Sequence, residues 1–270
     1  MRAAIILALF SLFAPAATLG DRTLVDEGYR QMYNLQFDAA HRSFGEWQRQ
    51  HPEDPLGPVS DAAAYLFNEF DRLHILQSQF FVDDSMFHAM KKPAADPQIK
   101  QKFEDDLAQG QRLSDAILRR SADDKNAMFA SILRMGLRSD YLSLIEDRNF
   151  QALSEIKSSR ILAEKLLSLD PKCYDAYLAV GIENYMLSLK SPPARWLLRL
   201  GGAQTDKDRG IAKMKLAAEK GHYLQPFARL LLAVQNLRDH NRGRAKELLA
   251  GLAHEFPGNQ LYAQELAKLQ

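Results

Sequence analysis

Residues 24–55 read LVDEGYRQMYNLQFDAAHRSFGEWQRQHPEDP, and two helices separated by a short break account for this stretch. Its apolar residues recur at intervals of three and four, which is the spacing of one face of an α-helix. In the second half, this spacing aligns Phe37, Ala40, Phe44 and Trp47. The helix must end before Pro52, because a proline disfavours helical backbone in the preceding residue. The stretch therefore predicts a pair of helices.

The first predicted helix contains Gly28, although glycine inside a helix costs about 1 kcal/mol relative to alanine. Such a residue is expected where a neighbouring helix approaches closely. The order and spacing of a small set of residues in this stretch resemble the tetratricopeptide repeat (TPR) family: Gly28, Phe37, Ala40, Phe44, Pro52 and Asp54. The pattern departs from the family at Gln31, where a tyrosine is usual, and at Trp47, where alanine is usual. The resemblance implies stacked helix pairs with a concave face that binds peptides or protein segments.

The remaining chain also favours helices, because alternation of apolar and polar residues is scarce and helical spacing is common. A helix is predicted from Ser60, and residues 57–120 form an irregular pair joined by a long linker at 81–96. The last residues predict a capping helix. Repeat-like units are predicted near residues 22–55, 125–172, 173–222 and 225–259. We therefore expect one all-α domain over residues 21–270, a right-handed TPR-like solenoid of about eight to ten helices.

The first twenty residues, MRAAIILALFSLFAPAATLG, have the pattern of a secretory signal peptide. The apolar run from Ala3 to Ala14 is too short to span a bilayer, which needs about 20 residues. Small residues near positions 16–20 suit a cleavage site, and an N-terminal anchor helix is the alternative. No cysteine follows the run, which argues against a lipid anchor. The pattern predicts export to the periplasm or the cell surface.

The charge balance and the cysteine content exclude some classes of protein. The chain has 35 Lys and Arg against 34 Asp and Glu, a formal net charge of +1, so there is no basic excess of the kind that nucleic-acid binding needs. The single cysteine, Cys173, cannot form a disulfide within the chain, and an exported form must be stabilised by packing. We expect its thiol to be partly buried, with a reactive thiol as the alternative.

The chain contains no HExxH, P-loop, G-x-S-x-G or G-x-G-x-x-G motif, and its seven histidines lack ligand spacing. No cofactor or metal site is expected, and the chain is predicted not to be an enzyme. The most site-like cluster is FFVDDSMFHAM at 80–90, where Asp83, Asp84 and His88 could bind a metal or act as acid and base. The alternative is an Asp-rich start of a short helix, since Asp accepts hydrogen bonds from free backbone N–H groups.

Residues 195–210, RWLLRLGGAQTDKDRG, raise the possibility of a phosphate loop. Helix-capping rules favour another interpretation. Ser191 begins a short helix, Gly201 ends it in a left-handed conformation, and Thr205 caps the next helix. A phosphate loop needs its glycines directly before a helix N-terminus, and here residues intervene. The double glycine is therefore predicted to separate two helices.

The short helix at 193–200 brings together Trp196 and Leu197 beside Arg199, and it interrupts one predicted repeat. It either packs Trp196 into the concave face or lies on a membrane or partner surface, where tryptophan and arginine are common. Residues 181–217 also resemble part of the eukaryotic TPR-like proteins associated with the outer mitochondrial membrane. That second resemblance supports the fold alone.

These observations predict an exported, non-enzymatic scaffold or adaptor that binds a peptide or protein segment, with no nucleic-acid partner. Two alternatives remain open: a ligand-binding or metal-binding protein or enzyme using Asp83, Asp84 and His88, and a peripheral membrane protein using the helix at 193–200. The residues expected on the concave face are Tyr29, Tyr33, Asn184, Tyr185 and Asn236.

Overall fold

The computed structural model describes residues 23–75 and 94–269, and these ranges contain twelve α-helices and no strand. The predicted all-α class is confirmed, with more helices than the eight to ten expected. In chain order they are α1 Thr23–Tyr33, α2 Phe37–Gln50, α3 Leu56–Arg72, α4 Pro97–Arg120, α5 Lys125–Leu144, α6 Asn149–Leu169, α7 Ala176–Ser188, α8 Pro192–Leu200, α9 Lys207–Lys220, α10 Gln225–Arg238, α11 Arg242–Glu255 and α12 Gln260–Ala267.

Polar side chains begin many of these helices by accepting hydrogen bonds from backbone N–H groups that have no partner within the helix. Asp96 does so at the start of α4, and Asp124 at the start of α5. The start of α3 differs from the prediction, since the helix begins at Leu56 rather than near Ser60. Pro55 precedes it and Pro58 lies in its first turn, where a missing N–H does no harm.

Two caps around the double glycine also differ from the prediction. The left-handed residue after α8 is Gly202, with φ of 80°, whereas Gly201 has φ of −79°. Asp206 rather than Thr205 caps α9, and its carboxylate accepts the Arg209 N–H at 3.0 Å. The Thr205 hydroxyl is instead buried and accepts a hydrogen bond from Arg199 Nε at 2.6 Å.

Most helices pack against the next helix of the chain, and further contacts join α1 to α3, α3 to α5, and α5 to α7. The close approach expected at Gly28 is confirmed, because a Cβ atom there would overlap the Phe44 ring of α2. A second close approach joins α7 and α9. A Cβ atom on Gly210 would lie 2.6 Å from the Tyr185 nitrogen and 2.9 Å from the Gly181 oxygen.

The first described helix also touches the last part of the chain. Tyr33 at the end of α1 donates a hydrogen bond to the Tyr223 carbonyl at 3.0 Å. Asn259, just before α12, donates from Nδ2 to the Tyr33 carbonyl at 2.9 Å. The neighbouring Gly258 N–H donates to Asn34 Oδ1 at 3.0 Å. The helical array therefore curls back until its beginning meets its end.

Candidate functional site

The five residues expected on a binding face are all buried. Tyr29 and Tyr33 pack in the interior, and the Tyr29 ring lies 4.8 Å from the Tyr223 ring, centroid to centroid. Asn184 donates to the Val180 carbonyl and to Gln204, while Asn236 donates to the Leu232 carbonyl. Tyr185 belongs to the apolar cluster between α7, α9 and α10. Burial leaves only small parts of these side chains at the surface, and Asn236 lines a second pocket between α9, α10 and α11.

A cavity of about 80 Å³ lies beside two of them. Its wall consists mainly of apolar side chains from α1, α3, α5, α6, α7 and α10. Five of these six helices, α1, α3, α5, α7 and α10, each come first in a pair of helices along the chain, and α6 comes second in its pair. The side chains that define it best are Tyr29, Tyr33, Phe67, Leu137, Ile182 and Phe227.

Two polar side chains of α5 border this apolar space. Ser139 is 1% exposed, and its hydroxyl has no hydrogen-bond partner in the described residues. Burial raises the pKa of the neighbouring Asp140 to about 7, and within the described part of the chain no hydrogen bond or charge offsets that rise. Buried polar groups in folded proteins are nearly always hydrogen-bonded. A bound group that offers a donor would satisfy both side chains.

The cavity is too small for a whole cofactor or substrate. Ligand sites for such molecules usually enclose about 300–1,000 Å³, and an engineered cavity of about 150 Å³ holds benzene. A volume near 80 Å³ suits one side chain or a short alkyl group. Gly136 also borders the space, and a Cβ atom added there would meet no heavy atom within 4 Å. A side chain added at 136 therefore starts in open space beside the cavity.

Comparisons with protein-family models, with curated proteins and with solved structures find no match to this chain. The TPR assignment therefore rests on the motif at 24–55 and stays a prediction. Residues 1–22, which carry the signal-peptide pattern, lie outside the described residues. Asp83, Asp84 and His88 also lie outside them. In the described ranges, no three His, Cys, Asp or Glu side chains gather closely enough to hold a metal ion.

A second group of titratable side chains lies on α2, α3 and α4. The His41 ring contacts the Asp61 carboxylate through Nδ1, and its centroid lies 3.9 Å from that of Tyr65. Burial, with Asp61 and Asp105 nearby, raises the pKa of Asp106 to about 8. His41 Nε2 is buried without a hydrogen-bond partner in the described residues, so it does not face an open site. This group joins three helices.

Cys173 is half-buried, as expected, and burial raises the pKa of its thiol to about 12. Because the thiolate is the reactive form, a thiol with this pKa is a poor nucleophile at neutral pH. The residue is therefore a packing side chain rather than a reactive one.

The helix expected at 193–200 is α8, and it is exposed rather than packed inward. Trp196 and Leu197 are each 65% exposed, Leu200 is 67% exposed, and no residue of α8 is buried. None of the described helices combines the length and the apolar composition that crossing a membrane requires.

A buried ionic network holds the loop that follows α8. Arg160 of α6 contacts the Glu183 carboxylate of α7 through Nε and donates to the Gly202 carbonyl at 3.1 Å. Glu183 accepts the Gln204 N–H at 3.3 Å, and Glu164 accepts the Gln204 amide at 2.8 Å. The loop is thus fixed to two helices, and α8 is presented on the outside.

Sequence reasoning missed the cavity, because it forms only where six helices meet. The local signal that could have indicated it is the spacing of Gly136 and Asp140. These residues lie one turn apart on the face of α5 that carries Ile132, and neither a small nor an acidic residue there favours core packing.

Proposed function

We propose that this chain is an exported, non-enzymatic binding protein with a right-handed TPR-like array. Its inner helices would hold one anchoring side chain of a peptide or protein partner in the cavity beside Asp140. The signal-peptide pattern of residues 1–20 supports export, and the motif at 24–55 supports the repeat class. The observation that carries the proposal is an apolar cavity bordered by the buried Ser139 hydroxyl, which has no partner in the described residues, and by the Asp140 carboxyl, whose pKa burial raises to about 7.

The position of the cavity agrees with a concave binding face. In TPR-like arrays the first helix of each pair lines the inner surface, and the cavity is bordered by α1, α3, α5, α7 and α10. The expected residues Tyr29 and Tyr33 border it too. The recognition surface is then a pocket between the inner helices rather than a row of exposed polar side chains.

The lining defines the chemistry of the anchor. An apolar wall favours a hydrocarbon stem, and the unpartnered Asp140 carboxyl and Ser139 hydroxyl favour a hydrogen-bond donor or a cation at its end. Lysine has both features, because its long apolar stem carries an ammonium group. We expect a lysine, or another side chain with a donor at its tip, as the anchor.

Selection from a random peptide library displayed on phage tests this proposal. The wild-type protein should enrich peptides that share one lysine or other donor-tipped anchor. Gly136→Leu fills the cavity and should weaken binding of these peptides at least tenfold. Gly251→Leu is the matched control, because it places the same side chain at an exposed helical glycine with no heavy atom within 4 Å.

Circular dichroism and thermal unfolding establish that both variants are folded before binding is compared. Asp140→Asn gives a second test that leaves the cavity volume unchanged. It should reduce the preference for cationic anchors over neutral ones. Equal binding of the selected peptides to wild type, Gly136→Leu and Gly251→Leu would contradict the cavity as the binding site.

A further inference from the structure

Large apolar side chains are exposed on α8 and on the helices before it in the chain. In addition to Trp196, Leu197 and Leu200, the last turn of α7 exposes Met186 and the residue after the helix exposes Leu189. On α6, Ile161 is also exposed, one turn after Lys157, and Lys157 donates to the Gly201 carbonyl at 2.6 Å. Large apolar side chains are thus concentrated where α8 leaves the array.

The charge of this region has one sign. Lys190, Arg195 and Arg199 lie on or beside α8, and Lys157 contacts the glycine that follows it. No acidic residue occurs between Glu183 and Asp206. Glu183 is buried against Arg160, and Glu164 contacts both Arg160 and Arg209. Cations therefore flank the apolar face of α8, although the whole chain is nearly neutral.

We propose that α8 lies flat in the headgroup region of an anionic membrane surface. An amphipathic helix with tryptophan and leucine on one face and flanking cations has the features of an interfacial helix. Each cation near an anionic lipid surface improves binding by about a factor of five. Trp196 places its amphipathic ring at the depth where tryptophan is enriched.

The small size of α8 argues against a second copy of the chain as the partner that covers its exposed face. A helix of nine residues is only about 14 Å long, whereas a stable protein interface buries roughly 800 Å² on each partner. Two copies meeting through this face would also bring like charges together. A negatively charged lipid surface needs no large protein interface, and it attracts the cations instead of repelling them.

Tryptophan fluorescence of the full chain tests the proposal directly. Trp196 is 65% exposed and is the reporter, whereas Trp47 is 3% exposed and donates to Asp54, so its signal stays constant. Vesicles of phosphatidylcholine with a quarter phosphatidylglycerol should shift the emission to shorter wavelength. Brominated lipid in these vesicles should quench it, and Trp196→Phe should abolish both effects.

Charge removal and a matched apolar control complete the design. Lys190→Gln/Arg195→Gln avoids the Arg199–Thr205 hydrogen bond and should lower partitioning about 25-fold, a factor of five for each charge. Phe150→Ser removes an apolar side chain that is 92% exposed at the start of α6 and should leave the signal unchanged.

Three results would each overturn the proposal. The first is no spectral shift with anionic vesicles. The second is an equal shift with pure phosphatidylcholine, which would remove the role of charge. The third is a shift that grows with protein concentration in the absence of lipid, which would identify a second copy of the chain as the occupant. None of these results depends on peptide binding in the cavity.

Discussion

Gly210 and Gly251 are both glycines within helices, but their surroundings differ completely. At Gly210 an added methyl group would meet backbone atoms of α7, 2.6 Å from the Tyr185 nitrogen. Backbone cannot move aside as a side chain can, so α7 and α9 must separate. We expect Gly210→Ala to lower the free energy of unfolding by about 1–3 kcal/mol, despite the better helix propensity of alanine.

Gly251→Ala should do the opposite, because nothing lies within 4 Å of the added methyl group. The helix propensity of alanine should raise the free energy of unfolding by about 1 kcal/mol. Urea unfolding of the two variants beside wild type measures both effects. A Gly210→Ala protein as stable as wild type would show that the α7–α9 contact is looser than described.

Asp140 makes the stability of the protein depend on pH in a defined direction. Its pKa is about 7 in the folded protein and about 4 in an unfolded chain. Between these values the folded state holds a proton that the unfolded state has lost. The contribution of Asp140 to the free energy of unfolding therefore falls as the pH rises from about 4 to about 7, by something of the order of 4 kcal/mol.

Asp140→Asn removes this titration and leaves the others in place. The variant should gain stability relative to wild type as the pH rises through the same window, and the difference should level off above about pH 7. Urea unfolding at five pH values from 4 to 8 measures it. Asp106, with a pKa of about 8, titrates in both proteins and cancels in the difference. A difference that does not change with pH would mean that the pKa of Asp140 is not raised in the folded protein.

At the scale of single residues, the sequence predicted what local chemistry determines. Gly28 was expected at a close helix contact, and it faces Phe44. The predicted N-cap of α9, Thr205, was wrong by one position, because the Asp206 carboxylate is the stronger hydrogen-bond acceptor. Thr205 instead accepts a hydrogen bond from Arg199. This contact depends on how α8 folds back, and no sequence pattern predicts it.

At the scale of elements, the pair Arg160 and Glu183 joins α6 to α7 and holds the loop before α9. Glu183 is completely buried, and burial raises its pKa while Arg160 lowers it. Removing one partner of a buried ion pair leaves an uncompensated charge and costs about 3–5 kcal/mol. We expect Arg160→Met to lower the free energy of unfolding by this amount. Hydrogen exchange at the Gln204 amide, which donates to Glu183, should accelerate.

A double variant separates the ion pair from ordinary packing. Arg160→Met/Glu183→Leu replaces both charges with apolar groups and should recover most of the loss. Arg209→Met is the matched control, because Arg209 lies on the surface 3.7 Å from Glu164 and should change stability by less than about 1 kcal/mol. A double variant no more stable than Arg160→Met alone would show that the pair does not act as a unit.

Helical spacing predicted the elements well, including the short α8, because periodicity is a local property. It could not predict that α8 is exposed. An amphipathic helix has the same pattern whether it covers a protein core or lies at an interface, and only its neighbours decide. The loop network of Arg160, Glu183 and Gln204 fixes the position of α8, and these residues are far apart in sequence.

At the scale of the whole molecule, contacts between residues far apart in the sequence decide how much of the predicted binding face is accessible. Tyr29 and Tyr33 border the cavity, and their neighbours include Tyr223 and Phe256, about two hundred residues away. No local pattern indicates that the last loops of the chain return to α1. The cavity beside Asp140 also forms between helices that are far apart in the sequence, so the sequence could not predict it.

The contact between α1 and the end of the chain predicts how the molecule unfolds. In an open repeat array each unit contacts only its neighbours, so a change near the C-terminus leaves the first helix unaffected. Here Asn259 satisfies the Tyr33 carbonyl at the end of α1 and also caps α12. Asn259→Ala removes both interactions. It should lower the hydrogen-exchange protection of α1 amides by about 1–3 kcal/mol, the cost of a buried group without a partner.

Asn241→Ala provides the matched control for this test. Asn241 caps α11 through the Arg244 N–H, as Asn259 caps α12 through the Leu261 N–H, but it makes no described hydrogen bond to α1. Loss of either cap should cost about 1 kcal/mol locally. Only Asn259→Ala should loosen α1. Equal protection of the α1 amides in the two variants would mean that the ends of the array touch without stabilising each other, and that the chain unfolds as an open array.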